Sequence, residues 1–215
     1  MATPERVVVV GASGFGREAL DVLEAMRAAG AYLAIEGVLD DSPSYDNLER
    51  VNSRGIEFLG TIDDWLSRSE VCRFVLAIGD PDIRRKLVRK LEAAGLLAFT
   101  AVHPSAIQGS RTRVGEGVVI CAGVVISTNV TLGQHVHINP SVTIGHDTIL
   151  GDFVSINPGA VLSGDVHIRN GVTVGAGATV LQQLTVDESS VIGAGAVLTK
   201  SAPSQVIVKG VPGRW

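Results

Sequence analysis

The sequence predicts two domains of different construction, an α/β unit with a parallel sheet followed by a parallel β-helix. Three observations indicate this fold. Apolar runs alternate with amphipathic helical segments through the first hundred residues. From position 114 to position 198, Val, Ile or Leu occupies every sixth residue. The 215-residue chain is 46% hydrophobic but only 4% aromatic, so aliphatic side chains must fill both interiors.

The first domain is predicted to span residues 1–100. Its elements are a strand at 6–10, a helix at 17–30, strands at 34–41 and 72–80, and a helix at 83–95. This order favours a Rossmann-like parallel sheet. The second helix carries basic residues that we expect to form a solvated face, namely Arg84, Arg85, Lys86, Arg89 and Lys90.

The second domain, residues 101–215, is predicted from a hexad repeat. Fifteen consecutive positions spaced by six, from Val114 to Leu198, carry Val, Ile or Leu. A second set, mostly Val or Ala, follows each of them by four residues. This period fits neither an α-helix nor a β-meander. It fits a prism with three flat faces, in which each face takes one hexad and each coil takes about eighteen residues.

Composition and charge exclude several classes of partner. The net charge of −4 leaves no basic stripe for a nucleic-acid backbone, so no nucleic-acid partner is expected. No apolar run reaches the ~18 residues that cross a bilayer, so no membrane insertion is expected. The two cysteines, Cys72 and Cys121, lie far apart, and no signal-like segment opens the chain. These features predict reduced thiols and a cytoplasmic protein.

Motifs spread over nearly the whole chain resemble one enzyme family. In chain order they read VVVVGASGFGRE, GVLDD, AIGD, TIGHDTILGDF, NPGAVLSG, VGAGATV, VIGAGAVLTK and KGVPGR. The sequence resembles the hexapeptide-repeat acyltransferases, in particular the sialic acid O-acetyltransferase and nucleotide-amino-sugar (bacillosamine, perosamine type) N-acetyltransferase group. The resemblance implies a left-handed β-helix, although the ordinary crossover rule favours right-handed coils. It also implies a homotrimer and acetyl-CoA as the acyl donor.

An imidazole next to a carboxylate, His146 and Asp147, stands out in the segment TIGHDTILGDF. Acyl transfer to an amine or hydroxyl needs a base near neutral pH, and imidazole suits that task. The resemblance implies that His146 is the general base and that Asp147 orients its ring. The alternative interpretation is that His146 is one of five histidines on a polar exterior.

The predicted coil length places Asn129, Asp147 and Asp165 in one column, because they are eighteen residues apart. Stacked carboxylates repel unless a cation lies between them, and the imidazolium formed in catalysis is one candidate. Alternatively, both are exposed corner residues that accept hydrogen bonds from backbone N–H groups.

Three further histidines raise the question of a metal: His135, His137 and His167. Their spacing differs from that of the three-histidine zinc site in hexapeptide-repeat carbonic anhydrases. Neither a metal site nor a metal cofactor is therefore expected.

The donor site is expected toward the end of the β-helix. Ala176 and Ala194 lie eighteen apart in the segments VGAGA and IGAGA, so they should occupy the same corner of consecutive coils. The resemblance implies that pantetheine binds along this column and that Ser155 aligns with a donor-contact position. Lys209 would bind a CoA phosphate. The flanking glycines are alternatively explained by the turns alone.

The acceptor site is expected in the first domain. The loop GASGFG directs backbone N–H groups at an anion, but it lacks the Lys-Ser/Thr of a triphosphate-binding loop. The resemblance implies that this loop, the acidic pair after the second strand and the glycine of AIGD hold a nucleotide-linked amino sugar. By position these residues are Ser13, Gly14, Phe15, Asp40, Asp41 and Gly79. Several family members have histidine where this chain has Phe15, which leaves open an acceptor with a different base or sugar, or one that is not a nucleotide.

The predicted function is transfer of an acetyl group from acetyl-CoA to the amino group of a nucleotide-linked sugar, a glycan or cell-surface polysaccharide precursor. O-acetylation of a sialic acid or related sugar hydroxyl is the first alternative. A non-catalytic trimer that binds a nucleotide sugar is an alternative of another class. The presence of His146, Asp147 and the glycine-flanked column argues against that last interpretation.

Overall fold

A computed structural model describes residues 3–68 and 71–215 of the chain. The chain divides into two compact units, Met1–Pro104 and Ser105–Trp215. Within the described residues, every helix is too short or too polar to cross a membrane.

The first unit is a parallel sheet with helices. Its elements are β1 Glu5–Val10, α1 Gly14–Ala28, β2 Leu33–Leu39, α2 Tyr45–Asn52, β3 Phe58–Gly60, α3 Ile62–Leu66, β4 Arg73–Leu76, α4 Pro81–Ala93, β5 Leu97–Ala98 and β6 Ala101–Val102. Five strands form one parallel sheet in the order β3-β2-β1-β4-β5. The valines of the central strand β1 are at most 1% exposed. The predicted α/β class is confirmed.

Side-chain caps begin three of the helices. Ser44 and Thr61 accept hydrogen bonds at the start of α2 and α3, and Asp80 does so at the start of α4, where Pro81 occupies the first helical position. The sequence pattern predicts α1 and α4 but not α2, α3, β3 or β5. The elements β3, β5 and α3 are too short to show an apolar period. The helix α2 is too polar, because it buries only one residue, Val51.

The strand order determines where a ligand would bind in this unit. From β1 the chain passes to β2 and β3 on one side, and β4 then pairs on the other side of β1. The loops after β1 and β4, residues 11–13 and 77–80, therefore diverge. Divergence of this kind opens a crevice at the carboxyl ends of the strands, which is the usual ligand position in such sheets.

The second unit consists of two-residue strands separated by turns. They are β7 Ile107–Gln108, β8 Arg113–Val114, β9 Val119–Ile120, β10 Val125–Ile126, β11 Thr131–Leu132, β12 His137–Ile138, β13 Thr143–Ile144, β14 Ile149–Leu150, β15 Ser155–Ile156, β16 Val161–Leu162, β17 His167–Ile168, β18 Thr173–Val174, β19 Thr179–Val180, β20 Thr185–Val186, β21 Val191–Ile192, β22 Val197–Leu198 and β23 Ile207–Val208. Val125 pairs with Thr143, eighteen residues later, and this spacing persists until Val191 pairs with Ile207. The predicted coil length is confirmed.

Three stacked parallel sheets form the faces of a prism. The first face contains β7, β10, β13, β16, β19 and β22, the second contains β8, β11, β14, β17 and β20, and the third runs from β9 through β12, β15, β18 and β21 to β23. Corner 1, between the first and second faces, contains the positive-φ residues Arg111, Asn129, Asp147, Asp165 and Gln183. Corner 2 contains Gly117, His135, Phe153, Gly171 and Ser189, and corner 3 contains Gly123, Ser141, Gly159, Gly177 and Gly195.

The hexad positions fill the interior of the prism. Fourteen of the fifteen, from Ile120 to Leu198, are at most 2% exposed, whereas Val114 near the first coil is partly exposed. Most residues four positions later are fully buried Val or Ala. Two of them are polar, Thr148 and Ser190, and both are 0% exposed.

Candidate active site

His146 and Asp147 lie at corner 1, in the turn between β13 and β14. Ile144, two residues earlier, is fully buried, so the chain turns outward between it and His146. The side chains of His146 and Asp147 are 59% and 49% exposed. The repeat thus presents both side chains to solvent on a backbone that is fixed by parallel pairing with the coils before and after it.

The two side chains share one hydrogen bond. Nδ1 of His146 lies 2.7 Å from Oδ2 of Asp147. A carboxylate can only accept, so the proton resides on Nδ1 and the lone pair of the neutral ring resides on Nε2. Nε2 is therefore the atom that can take a proton from a substrate.

Asn129 holds Asp147 from one coil earlier at the same corner. Its Nδ2 donates to Oδ1 of Asp147 over 3.0 Å. The hydrogen bond with His146, followed by the one from Asn129, lowers the pKa of Asp147 below its ordinary value. The carboxylate is thus ionised and fixed between two partners. The eighteen-residue column is the signal in the sequence that points to Asn129.

Asp165 occupies corner 1 one coil after Asp147, as the spacing predicts. Its carboxylate faces Nε2 of His167 at 3.8 Å, whereas that of Asp147 is bonded to His146 and Asn129. Each carboxylate therefore has its own partner. The ring of His146 is engaged by Asp147 rather than shared between the two carboxylates.

Gly164, one coil after His146, leaves the space that the ring occupies. A Cβ atom at this position would lie 2.5 Å from both Cε1 and Nε2 of His146. No larger residue fits while the ring keeps its place. This requirement is not visible in the sequence, where Gly164 resembles the many other turn glycines.

The Gly164 amide N–H has no hydrogen-bond acceptor among the described residues. At corner 2 the equivalent N–H groups have acceptors in the next coil. The N–H of Gln134 donates to Oδ1 of Asp152, and that of Asp152 donates to Oδ1 of Asn170, each over 2.8 Å. Gly164 therefore presents a free donor beside His146. Such a donor suits a carbonyl oxygen that gains negative charge during a reaction.

These groups border an open cleft of about 600 Å³. Its lining comes from three consecutive coils at corner 1 and consists of His146, Asp147, Ser163, Gly164, Asp165, Gln182 and Gln183. Each lining residue is polar, charged or glycine. The cleft is thus large enough for the reacting groups of two substrates and suits a polar acceptor such as a sugar.

The three other histidines of the second unit have separate surroundings. His135 is buried, and its ring stacks on Phe153 with the centroids 5.2 Å apart. His137 is buried in β12, and His167 faces Asp165. Across residues 3–68 and 71–215, no group of three or more His, Cys, Asp or Glu side chains is arranged to hold a metal ion.

The predicted donor column lies at corner 3, where Ala176 and Ala194 occupy equivalent exposed places in consecutive coils. Gly195, next to Ala194, donates its N–H to the Ala176 carbonyl over 2.9 Å. The N–H groups of the two alanines have no acceptor in the part of the chain that the structure describes. In the two preceding coils the equivalent residues are Pro140 and Pro158, which have no N–H group. The column thus offers two free donors.

The other two predicted donor residues differ in accessibility. Ser155 is only 5% exposed, in β15 on the third face. Lys209 is exposed in the turn after β23, where its backbone pairs with that of Arg214. The aliphatic part of Lys209 lies next to Gly193, close to the alanine column. The contacts of both residues with CoA stay predictions.

The glycine-rich loop of the first unit follows β1, where the strands diverge. Ser13 and Gly14 are exposed, and the Ser13 side chain makes no capping hydrogen bond. Phe15 is partly exposed in the first turn of α1. A Cβ at Gly16 would lie 1.9 Å from the Gly11 carbonyl oxygen, so only glycine allows this tight turn. The start of a fifteen-residue helix is therefore open to an anion.

The acidic pair after β2 bonds to neighbouring backbone. Asp40 accepts hydrogen bonds from the N–H groups of Ala12 and Ser42 over 2.8 and 2.9 Å. Asp41 accepts one from the N–H of Ile62, at the start of α3, over 2.8 Å. Asp40 thereby ties the end of β2 to the glycine-rich loop. Contact of either carboxylate with an acceptor stays a prediction.

Gly79 is exposed in the loop after β4, and a buried arginine holds that loop. Arg84 is 0% exposed, and its Nη1 donates to the carbonyls of Ile78 and Gly79, each over 2.9 Å. Burial lowers the pKa of Arg84 to about 10. The expectation that Arg84 belongs to a solvated face is therefore wrong. Arg84 shares an i, i+4, i+7 face of α4 with the buried Val88 and Leu91, and this periodicity is the signal for its burial.

Comparison with known protein families agrees with the two-unit architecture. Residues 6–91 match the PglD N-terminal domain, and residues 129–164 and 147–182 match the bacterial transferase hexapeptide (six repeats). Among curated proteins, none matches the sequence significantly.

Solved structures match almost the whole chain. The acetyltransferase domain of PglB from Neisseria gonorrhoeae is 31% identical, with a TM-score of 0.88 and coverage of 98% of both chains. PerB from Caulobacter crescentus, solved with CoA and GDP-perosamine, is 30% identical, with a TM-score of 0.85 over 97% of this chain and 95% of that chain. WeeI from Acinetobacter baumannii is 26% identical, with a TM-score of 0.83 over 98% of this chain and 99% of that chain.

Further structures extend the comparison to ligands and to one histidine. The PglB domain was also solved with acetyl coenzyme A. Perosamine N-acetyltransferase from Caulobacter crescentus, 29% identical, was solved with CoA and GDP-perosamine after replacement of one histidine by asparagine or alanine. The coils match those of the left-handed β-helix in these enzymes. The chain belongs to the hexapeptide-repeat family of acyl-CoA-dependent sugar acetyltransferases that includes PerB and the PglB acetyltransferase domain.

Proposed function

We propose that this sugar acetyltransferase moves the acetyl group of acetyl-CoA to the amino group of a nucleotide-linked amino sugar, with His146 as the general base. The observation that carries the proposal is the hydrogen-bonded series Asn129–Asp147–His146, which leaves Nε2 of His146 available in an open cleft. The ligands of the relatives support the substrate classes, since PerB was solved with CoA and GDP-perosamine.

The proposed reaction begins when the acceptor nitrogen attacks the carbonyl carbon of the thioester. As the C–N bond forms, Nε2 of His146 takes a proton from that nitrogen, and Asp147 stabilises the imidazolium through Nδ1. The Gly164 N–H binds the carbonyl oxygen while it carries negative charge. When the C–S bond breaks, the imidazolium returns the proton to the CoA sulfur. An amide and free CoA leave, and His146 is neutral again.

The donor is proposed to lie along corner 3. The exposed N–H groups of Ala176 and Ala194 have no acceptor within the described residues, which supports binding of the carbonyl groups of pantetheine. Lys209 is proposed to pair with a CoA phosphate. Ser155 is kept as a proposed donor contact on the third face.

The acceptor is proposed to bind the first unit at the divergence of β1 and β4. The open start of α1 supports binding of a nucleotide diphosphate, because backbone N–H groups and the helix dipole attract anions. The proposed contacts are Ser13, Gly14, Phe15, Asp40, Asp41 and Gly79.

We further propose that the enzyme is a homotrimer and acts in the cytoplasm, where acetyl-CoA is available. Support for self-association comes from the first face, where Ile107, Val125 and Val161 are 62%, 40% and 38% exposed. These outward side chains form one uncharged column with Thr143 and Thr179. Exposed apolar strips of this kind are commonly buried against another copy.

An assay for release of the free CoA thiol tests the proposed function. The purified protein is mixed with acetyl-CoA and, in separate reactions, with GDP-perosamine, other nucleotide-linked amino sugars and sialic acid. We expect release with at least one amino sugar nucleotide and an amide-linked acetyl group in the product by mass spectrometry and NMR. His146→Ala should lower kcat about 10²–10⁴-fold and leave the KM for acetyl-CoA nearly unchanged.

Each other outcome has a defined meaning. Release only with sialic acid or another sugar hydroxyl would replace the proposal by O-acetylation. Binding of a nucleotide sugar without CoA release would favour the non-catalytic alternative. Near-full activity of His146→Ala at saturating acceptor would remove His146 from the mechanism.

A further inference from the structure

Thr148 is a fully buried polar side chain at a position where the neighbouring coils have aliphatic ones. The equivalent residues one coil before and one coil after are Val130 and Val166, and all three are 0% exposed. A hydroxyl group in such surroundings costs free energy unless it forms hydrogen bonds. Valine has nearly the same shape and avoids that cost, so the hydroxyl of Thr148 requires an explanation.

The hydroxyl group bonds twice to the next coil. Oγ1 of Thr148 donates to the Ser163 carbonyl over 3.2 Å and accepts from the Val166 N–H over 3.4 Å. These two partners flank Gly164 in the chain. Thr148, two residues after His146, thus fixes from the interior the segment of the next coil on which the His146 ring rests.

The bond to the Ser163 carbonyl determines the direction of the Gly164 N–H group. Both groups belong to one planar trans peptide unit, in which the C=O and the N–H point in opposite directions. The carbonyl is directed toward the buried Thr148, so the N–H points away from the interior. Outside the interior at this place lies the cleft that Gly164 lines together with His146.

We propose that Thr148 is a positioning residue for acetyl transfer, which directs the Gly164 N–H toward the reacting carbonyl oxygen from inside the β-helix. The inference rests on the proposed function, because that function makes Gly164 the oxyanion donor. If this peptide unit is held less firmly, its N–H stabilises the transition state less. Binding of acetyl-CoA is unaffected, because its other contacts along the chain remain. Loss of the hydroxyl should therefore lower kcat rather than raise the KM for acetyl-CoA.

Thr112 provides a matched control within the same chain. It lies two coils earlier at corner 1, and its Oγ1 contacts the Ser127 carbonyl over 3.4 Å and the Gly109 carbonyl over 2.8 Å. The Ser127 carbonyl is equivalent to the Ser163 carbonyl two coils later. Ser163 lines the cleft, whereas Ser127 does not. Removal of the Thr112 hydroxyl therefore repeats the chemical change away from the base.

Three variants separate a positioning role from a purely structural one. Thr148→Val keeps the shape without the hydroxyl, Thr148→Ser keeps the hydroxyl, and Thr112→Val is the control. Their kcat, KM for acetyl-CoA and pH–rate profiles are measured with an acceptor that the wild-type chain acetylates, and their unfolding is followed by circular dichroism. Thr148→Val should lower kcat about ten-fold or more, with the KM for acetyl-CoA and the pH profile unchanged. Thr148→Ser and Thr112→Val should stay within about three-fold of the wild type.

Equal kcat values for Thr148→Val and Thr112→Val would overturn the inference, and so would a Thr148→Ser variant as slow as Thr148→Val. If Thr148→Val does not fold, Thr148→Ser is compared with Thr148→Cys, since both lack the methyl group and only serine donates a strong hydrogen bond. Equal kcat in that pair would also overturn it. Failure of the proposed function looks different, because the wild-type chain then releases no CoA or His146→Ala remains active.

Discussion

At the level of single residues, the imidazole of His146 is held by partners from three successive coils. Asp147 keeps the proton on Nδ1, Asn129 fixes Asp147, and Gly164 leaves the space that the ring occupies. The ring nevertheless remains 59% exposed. For the proposed general base, orientation therefore matters more than burial, and a substrate can reach Nε2 without a rearrangement of the protein.

The contribution of Asp147 should appear in kcat. Its carboxylate is ionised near neutral pH, since its hydrogen bonds with His146 and Asn129 lower its pKa. Asp147→Asn should reduce kcat, because an amide can stabilise the wrong tautomer of the His146 ring. Asp165→Asn removes the same charge one coil later, and a loss of kcat as large as that of Asp147→Asn would argue against the direct contact.

Gly164→Ala should separate catalysis from stability. The three atoms nearest to the added Cβ would all belong to the ring of His146, the closest at 2.5 Å, and an exposed ring can swing away at little cost in stability. We expect a melting temperature close to that of the wild type and a kcat reduced at least about ten-fold, as for a displaced base. Gly145→Ala is the contrasting control, because its Cβ would lie 2.5 Å from the backbone of Ser163. Full activity of Gly164→Ala would show that the ring position is not required.

At the level of elements, the repeat could be predicted because each coil imposes the same spatial constraint on its sequence. Buried hexad residues such as Ile144 and corner residues such as Asp147 follow directly from the spacing. Contacts between coils could not be predicted in the same way, because the spacing pairs Asn129 with Asp147 but does not show which atoms meet. The short helix α3 depends on packing in the first unit, which its weak local pattern does not reveal. The burial of Arg84 is indicated only by the helix face that it shares with Val88 and Leu91.

Arg84→Met should test the element that supports the loop after β4. Methionine keeps the apolar stem but leaves the carbonyls of Ile78 and Gly79 without their buried donor. We expect a loss of about 1–3 kcal/mol in the free energy of unfolding by urea, and a higher KM for the acceptor. Arg89→Met on the exposed face of α4 should change neither quantity appreciably. An unchanged acceptor KM in a destabilised Arg84→Met protein would restrict Arg84 to a structural role.

At the level of the whole molecule, the two units present surfaces of different chemistry. The first offers a helix start at the carboxyl edge of a parallel sheet, which suits an anionic nucleotide. The second offers two free backbone donors in consecutive coils, at Ala176 and Ala194, which suit an extended chain with amides such as pantetheine. Under the proposed function, the combination of these two folds in one chain matches a reaction with two unlike substrates.

The quaternary structure should depend on the first face of the β-helix. Val161 lies in its uncharged outward column and is 38% exposed, so Val161→Glu would place a charge inside an apolar contact and should dissociate the trimer. Ile149→Glu, on the second face at a residue that is 44% exposed, introduces the same charge and should leave the trimer intact. Multi-angle light scattering at micromolar concentration measures the mass of each protein. A monomeric wild type would refute the trimer, whereas dissociation by Ile149→Glu but not by Val161→Glu would assign the interface to the second face.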